Sequence, residues 1–298
     1  MKAKTKRKRV IQDIASFLFL TSLIYIAWAA IALMVLEDTP AMMYISNDVD
    51  VAPVDSERLW LVNTDNPLTP DYRPKDLFSH NGLYIQAFAH TAFGEMLIAM
   101  NLDGITNLEL VSAYRPYDYQ QGLFSAKVRL LMSQGHSLAE ATDLAAQVVQ
   151  PPGASEHQTG LALDVTVAGD LTQAFAETKA GEWLSQNSHR FGFIIRYPQT
   201  KTDITHIIYE PWHLRYVGIP HAQIMYENNL TLEEYGAFIE NTPFILWAEP
   251  KERRVFYIVV YSQEWPEYFP ENFFDISSVN PGEGVGYIVT LRGVYITY

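Results

Sequence analysis

Apolar and polar positions alternate most cleanly between Leu161 and Val167. Leu161, Leu163, Val165 and Val167 share one face of an extended segment, and Ala162, Asp164 and Thr166 share the other. Upstream, Gln86–Asn101 places Phe88, Ala92, Met96 and Ala99 at helix-like spacing. Leu108-Glu109-Leu110-Val111 reads as a short strand running into Ser112. Pro116 disfavours helix at Arg115 and suits the first turn of a helix over Tyr117–Ser133. Ser137 with Glu140 three residues on forms a capping box, opening a second helix that ends before Pro151-Pro152-Gly153. Leu171–Asn187 is helical in pattern, Phe193-Ile194-Ile195 and Trp212–Val217 read as strands, and Thr231 with Glu234 caps a further helix. From Val255 the chain turns to β-like runs, Val255–Tyr261, Tyr287–Thr290 and Val294–Tyr298, separated by Pro and Gly. The sum is an α+β chain with a small β-rich appendage at its C-terminal end.

The N-terminal pattern is different. Ile14–Leu36 is a run of 23 residues without a charge, long enough to cross a bilayer as a helix. The basic flank before it and Glu37-Asp38 after it predict a cytoplasmic N-terminus, with the body of the chain outside the cytoplasm. The rival expectation is a cleaved signal peptide, with Ala27-Trp28-Ala29 offering small residues at cleavage spacing. The apolar region of such a peptide usually runs about 7–15 residues, which favours an uncleaved single-pass anchor. The expected layout is a basic tail over 1–13, a transmembrane helix over 14–36, a linker over 37–58, a main domain over 59–240 and the appendage over 241–298.

Composition narrows the function classes. Of 298 residues, 48% are hydrophobic and 18% charged, a globular balance with enough chain to bury a sizeable core. There is no cysteine, which excludes disulfides, thiolate metal sites, Fe–S clusters and cysteine nucleophiles. Six of the 21 Lys and Arg lie within residues 1–9, so the remainder carries 15 basic against 34 acidic residues, a formal charge of −19. A body this acidic repels nucleic acid.

Two segments offer chemistry. One is Ser155-Glu156-His157-Gln158-Thr159-Gly160-Leu161-Ala162-Leu163-Asp164, the other Glu210-Pro211-Trp212-His213. Two imidazoles (His157, His213) and the carboxylate of Asp164 suit a catalytic zinc with one position left for water. Asp164 points away from the apolar face of its strand, between the small neighbours Ala162 and Thr166. Each residue alone also fits an ordinary satisfied polar group, and the spacing by itself does not decide between the two. His80, His90, His136, His189, His206 and His221 are read as packed or surface histidines.

The wider pattern is more specific. Ser112-Ala113-Tyr114-Arg115-Pro116-Tyr117-Asp118-Tyr119-Gln120 is similar to the S-G-Y-R-S-x-x-x-Q segment of VanY-type D-alanyl-D-alanine carboxypeptidases. Ser155–Asp164 matches their S-x-H-x-x-G-x-A-x-D, and Glu210–Gly218 their E-x-W-H-x-R-Y-V-G, in family order over roughly residues 59–220. Ala113, Pro116 and Leu163 depart from the commonest family residues, none at a ligand position. The resemblance implies a zinc peptidase of the hedgehog/D,D-peptidase fold: a central antiparallel sheet with flanking helices, acting on peptidoglycan stem peptides that end in D-Ala. It implies one zinc ion on His157, Asp164 and His213, Glu210 as catalytic base, and Arg115, Gln120 and Ser155 as substrate-binding residues.

With that assignment, zinc would supply a water of pKa about 7, and Glu210 would be the base that takes its proton. Arg115 suits a terminal carboxylate because its planar fork stays charged and binds bidentately. Two alternatives accompany the D,D-carboxypeptidase reading: an L,D-carboxypeptidase acting on tetrapeptide stems, and a noncatalytic wall-binding module on the same fold. The latter has no need of the base Glu210.

Overall fold

A computed structural model describes residues 41–44, 57–242, 244–248, 255–262, 275–278 and 287–297. In chain order its elements begin with β1 (Ala41–Tyr44), β2 (Leu77–His80), β3 (Leu83–Gln86), α1 (Ala87–Leu102), β4 (Glu109–Ser112), α2 (Tyr117–Ser133) and α3 (Leu138–Ala146). They continue with β5 (Ala162–Thr166), α4 (Lys179–Asn187), β6 (Phe193–Tyr197), α5 (Thr202–Thr205), β7 (Glu210–Tyr216), α6 (His221–Glu227) and α7 (Leu232–Glu240). The last strands are β8 (Ile245–Ala248), β9 (Val255–Ser262), β10 (Asp275–Ser278) and β11 (Tyr287–Thr297).

The centre of the molecule is a four-stranded antiparallel sheet in the order β4-β5-β7-β6, the α+β arrangement expected from the sequence. The alternation on β5 sorts its side chains as read. Leu161, Leu163 and Val165 enter the main core with Leu214 and Phe193, and α1 covers that face with Ala89, Ala92, Phe93, Met96 and Met100. The opposite face carries Asp164 and is also closed from solvent, so every residue of β5 is buried. Each Å² of apolar surface this face removes from water is worth roughly 25 cal/mol, and a one-residue slip of β5 would turn that face outward.

The stripe of α1 is rotated from the expected one. Phe88 is 51% exposed and lies under the Arg58 guanidinium, 4.7 Å from its ring centre, while Ala89 takes the buried place. Leu171–Asn187 is not one helix. A 3-10 turn over Gln173–Glu177 is separated from α4 by Thr178, whose hydroxyl accepts from the Gly181 amide and restarts the chain as a helix. Gly181 is required there, since a Cβ would run into the Phe175 carbonyl.

A second sheet orders β1-β11-β9-β8, with β10 also pairing β11. The two runs expected around Gly293 are one continuous strand, β11, with Gly293 opposite Phe256. Ala41–Tyr44, expected within a linker, pairs with Val294–Thr297 at the far end of the chain. This sheet packs on the main body: Val259 and Ile288 share a core with Leu59, Ile194, Val217, Ile224, Met225, Tyr235 and Ile239.

The expectation of a single-pass membrane protein with an extracytoplasmic body is corrected. Among the described residues, no helix is long and apolar enough to cross a membrane. The segment 14–36 that prompted the expectation lies outside the described residues.

Candidate metal centre

Two β-irregularities build the site. Leu110 pairs with Val165 but Ser112 with Asp164, so β4 slips by one residue just before the Ala113-Tyr114-Arg115 loop. On the other side Ile195 pairs with Leu214 but Tyr197 with Glu210, a slip that falls across Pro211-Trp212-His213. Proline has no N–H for a ladder, and Pro211 sits where β5 no longer pairs with β7. Such bulges re-aim side chains, and here they point Glu210 and His213 toward β5. Asp164 and His213 are direct cross-strand partners, and His213 Nδ1 lies 2.9 Å from Asp164 Oδ1.

His157 arrives from a 3-10 turn, Glu156–Thr159, that ends in Gly160 at φ +71°. A side chain at Gly160 would meet Leu77 and the Gln86 amide, so the turn is pressed against the β2–β3 hairpin. The Gln86 amide donates to the Gly160 carbonyl, the Tyr114 amide to Tyr84 and the Arg115 amide to His157. The turn, the arginine loop and the hairpin are thereby one hydrogen-bonded unit. His157 donates from Nδ1 to the Ala113 carbonyl at 2.6 Å, which leaves Nε2 facing Asp164 Oδ2 at 3.1 Å.

His157, Asp164 and His213 are all buried, and one ligand-type atom from each lies within 4.8 Å of the others. His157 Nε2 is a buried nitrogen without a hydrogen-bond partner, on a ring whose other nitrogen is already fixed by a carbonyl. That is the arrangement of an imidazole metal ligand. Two imidazoles and one carboxylate converging from three segments fit a catalytic zinc.

The electrostatics around the cluster are divided. Burial, with help from Arg115, pulls the His157 imidazole down to about 4. Burial also disfavours charge on His213, but its contacts with Asp164 and Glu156 outweigh that and lift it to about 9. Burial raises the Asp164 carboxyl, and the flanking His157 and His213 overcome it, holding it well below the ordinary range. Glu210, with Oε2 3.8 Å from His213 Nδ1, is pushed up by burial to about 7 despite His213 and Arg115 nearby. A carboxyl of that affinity can both take and give a proton near neutrality.

The three residues expected to bind substrate are placed as follows. Arg115 follows the bulged loop, half-buried, with its Nε buried and without a hydrogen-bond partner. Ser155 is buried at the head of the His157 turn. Gln120 is buried on α2, where its amide nitrogen donates to the Gln150 carbonyl at 2.6 Å and its Oε1 is unpartnered. Trp212 packs against the core, and Leu214, Tyr216 and Val217 are buried. Arg215 is buried and pairs with Glu156, at 2.8 Å.

Sequence reasoning missed the importance of Glu156, Arg196 and Tyr197. Arg196 stands alone among apolar residues in Phe193-Ile194-Ile195-Arg196-Tyr197, which signals a buried charge seeking a partner. Its Nε donates to Glu156 Oε1 at 2.8 Å, and its two terminal nitrogens grip Glu233 on α7. The Tyr197 ring lies 5.0 Å from that of His213, closing one side of the site.

Comparisons with known proteins agree with this geometry. The family model of VanY, D-alanyl-D-alanine carboxypeptidase, matches residues 82–219. The YodJ protein of Bacillus subtilis (strain 168) is 42% identical over 190 residues, 59% of this chain and 66% of that protein. The bifunctional D-Ala-D-Ala dipeptidase and D-Ala-D-Ala carboxypeptidase VanXYC of Enterococcus gallinarum is 34% identical over 193 residues, 62% of this chain and 96% of that protein. The chain spans about two thirds of the length of the curated relatives it first matches. Among solved structures, a mutant of the vancomycin-resistance D,D-pentapeptidase VanY in complex with Zn(II) superposes with a TM-score of 0.55 at 39% identity. It covers 60% of this chain and 99% of that one. The LD-carboxypeptidase LdcB superposes with a TM-score of 0.53 at 40% identity, over 59% of this chain and 84% of that one. With its three motifs folded around one buried His-Asp-His cluster, the chain belongs to the VanY family of D-alanyl-D-alanine carboxypeptidases.

Proposed function

We propose that this chain is a zinc-dependent D-alanyl-D-alanine carboxypeptidase that removes the terminal D-Ala from peptidoglycan stem peptides. The observation that carries the reading is the buried cluster of His157, Asp164 and His213, within 4.8 Å, with the Glu210 carboxyl beside it. Those three residues would hold the ion. When bound, zinc polarises the scissile carbonyl and makes water a better nucleophile at neutral pH.

The remaining work falls to this chain's own side chains. Arg115 takes the free carboxylate of the terminal residue through its charged fork, with Ser155 and Gln120 completing the cradle for that end of the peptide. Glu210 Oε2 accepts a proton from the attacking water and then donates it to the leaving amine as the C–N bond breaks, so one carboxyl serves both halves of the hydrolysis. The burial that raises Glu210 also excludes bulk water from the reacting atoms, which strengthens each electrostatic contact there.

The test is release of D-Ala from a synthetic pentapeptide ending in D-Ala-D-Ala, followed by mass spectrometry with and without a chelator. Chelator-sensitive release is expected, and its absence in zinc-loaded protein overturns the proposal. A second reading, L,D-carboxypeptidase action on a tetrapeptide, is favoured by the similarity to LdcB. The same assay with both peptides separates the two. A wall-binding module without catalysis is disfavoured by Glu210, a carboxyl raised to about 7 that binding alone does not require.

A further inference from the structure

Buried polar atoms without partners are rare, and each one asks for an explanation. Two such atoms face each other beside the metal centre. Glu156 Oε2 and His213 Nε2 are both buried, neither has a hydrogen-bond partner, and they are 3.7 Å apart. The other halves of both groups are already committed. Glu156 Oε1 receives a hydrogen bond from Arg196 Nε and lies 2.8 Å from Arg215 Nη1. On the far edge of the imidazole, His213 Nδ1 faces Asp164 Oδ1 at 2.9 Å and Glu210 Oε2 at 3.8 Å.

We propose that Glu156 is a positioning residue: its Oε2 accepts the Nε2 proton of His213, fixing the tautomer and ring orientation that present Nδ1 to the metal. This rests on the zinc reading above. Five features make Glu156 suited to the task. Its carboxylate is fully enclosed, so water does not compete for His213 Nε2. Two guanidiniums hold one oxygen and leave the other aimed at the ring. Arg196 is itself gripped by Glu233 through two hydrogen bonds, 2.9 and 2.6 Å, so the clamp is anchored on α7. Arg215 is anchored separately, donating from one terminal nitrogen to the Arg58 and Trp60 carbonyls. Glu156 directly precedes His157, so one 3-10 turn would supply a ligand and the partner that orients another.

The inventory of donors gives a sharp test. Arginines only donate, so a glutamine at 156 must turn its oxygen to Arg196 and Arg215 and its NH2 to His213. An NH2 group donates, which forces His213 Nε2 to become the acceptor and moves the ring proton to Nδ1, the nitrogen meant for zinc. In Glu156→Gln, zinc affinity measured by chelator competition is expected to fall about 10–100-fold, the usual effect of losing such an outer partner. Long-range ¹H–¹⁵N spectra of histidine-labelled, zinc-loaded wild type, assigned by single substitutions, should show His213 protonated at Nε2. Unchanged zinc affinity in a folded Glu156→Gln variant overturns the inference. If that variant does not fold, the wild-type spectrum decides, and a proton on Nδ1 of His213 overturns it equally. Wild type that binds no zinc at all would instead remove the functional reading on which the inference stands.

Discussion

Glu210 and Glu156 are both buried carboxyls, and both approach the ring of His213, at 3.8 and 3.7 Å. Their environments push them apart. Burial lifts Glu210 to about 7, and its cationic neighbours only moderate the rise. Burial also opposes charge on Glu156, but Arg196 and Arg215 outweigh it and hold the carboxyl well below its ordinary range. Two carboxylates separated in this way take separate roles, one exchanging a proton near neutrality and one remaining a fixed charge. Replacing Glu210 by Gln keeps the side-chain shape and removes the proton acceptor. The turnover rate is expected to fall about 10²–10⁴-fold, the usual contribution of a general base. Zinc content should be unchanged, because Glu210 lies outside the ligand trio. Rates of D-Ala release beside metal analysis check both parts, and a Gln variant with wild-type turnover removes Glu210 from the proton path.

At the scale of elements, local signals were legible and packing-dependent ones were not. The alternation over Leu161–Val167 carried enough information to place Asp164 opposite the core face, because a strand has a period of two and leaves no freedom. The capping boxes at Ser137 and Thr231 open α3 and α7 as read. The face of α1 is rotated because the stripe that packs is Ala89, Ala92, Phe93, Met96 and Met100, which leaves Phe88 outside, beneath the Arg58 side chain. The break in Leu171–Asn187 depends on Thr178 and on how closely Gly181 approaches Phe175, neither visible in a periodicity. The His157, Asp164 and His213 cluster was legible as a motif, but the arginine clamp on Glu156 was not, since its partners lie on β6 and β7 far along the chain. Gly181 makes the packing argument testable. A Cβ there meets backbone rather than a movable side chain, so Gly181→Ala is expected to lower stability by about 1–3 kcal/mol, as overpacking does. Urea melts of both proteins measure it, and equal midpoints would show that the α4 turn tolerates the added methyl.

Across the whole molecule, one buried histidine ties two helices of the main body to the terminal sheet. His221, at the start of α6, lies 2.8 Å through Nδ1 from the Tyr235 hydroxyl on α7 and 3.0 Å through Nε2 from the Thr290 hydroxyl on β11. Around this link, Val259 and Ile288 of the terminal sheet complete an apolar cluster with Leu59, Val217 and Ile239, so the sheet is part of the body's core rather than a loose attachment. The link is sensitive to acid. Burial, reinforced by Arg58, lowers His221 to about 3, against about 6.5 in an unfolded chain. Between those values the unfolded state binds a proton that the folded state refuses. The contribution of a neutral His221 is therefore fully present above about pH 6.5 and is lost as pH falls toward about 3. The slope from this one group approaches about 1.4 kcal/mol per pH unit. A glutamine at 221 has nothing to titrate. His221→Gln is expected to be less stable than wild type at pH 7 for want of the same fit, yet to lose less stability between pH 6 and pH 4. Subtracting the two urea-denaturation series removes the shared contributions of the other histidines, including His189, which burial lowers to about 4. If the two pH curves run parallel, His221 is not the group that ties α6 and α7 to the terminal sheet through a neutral ring.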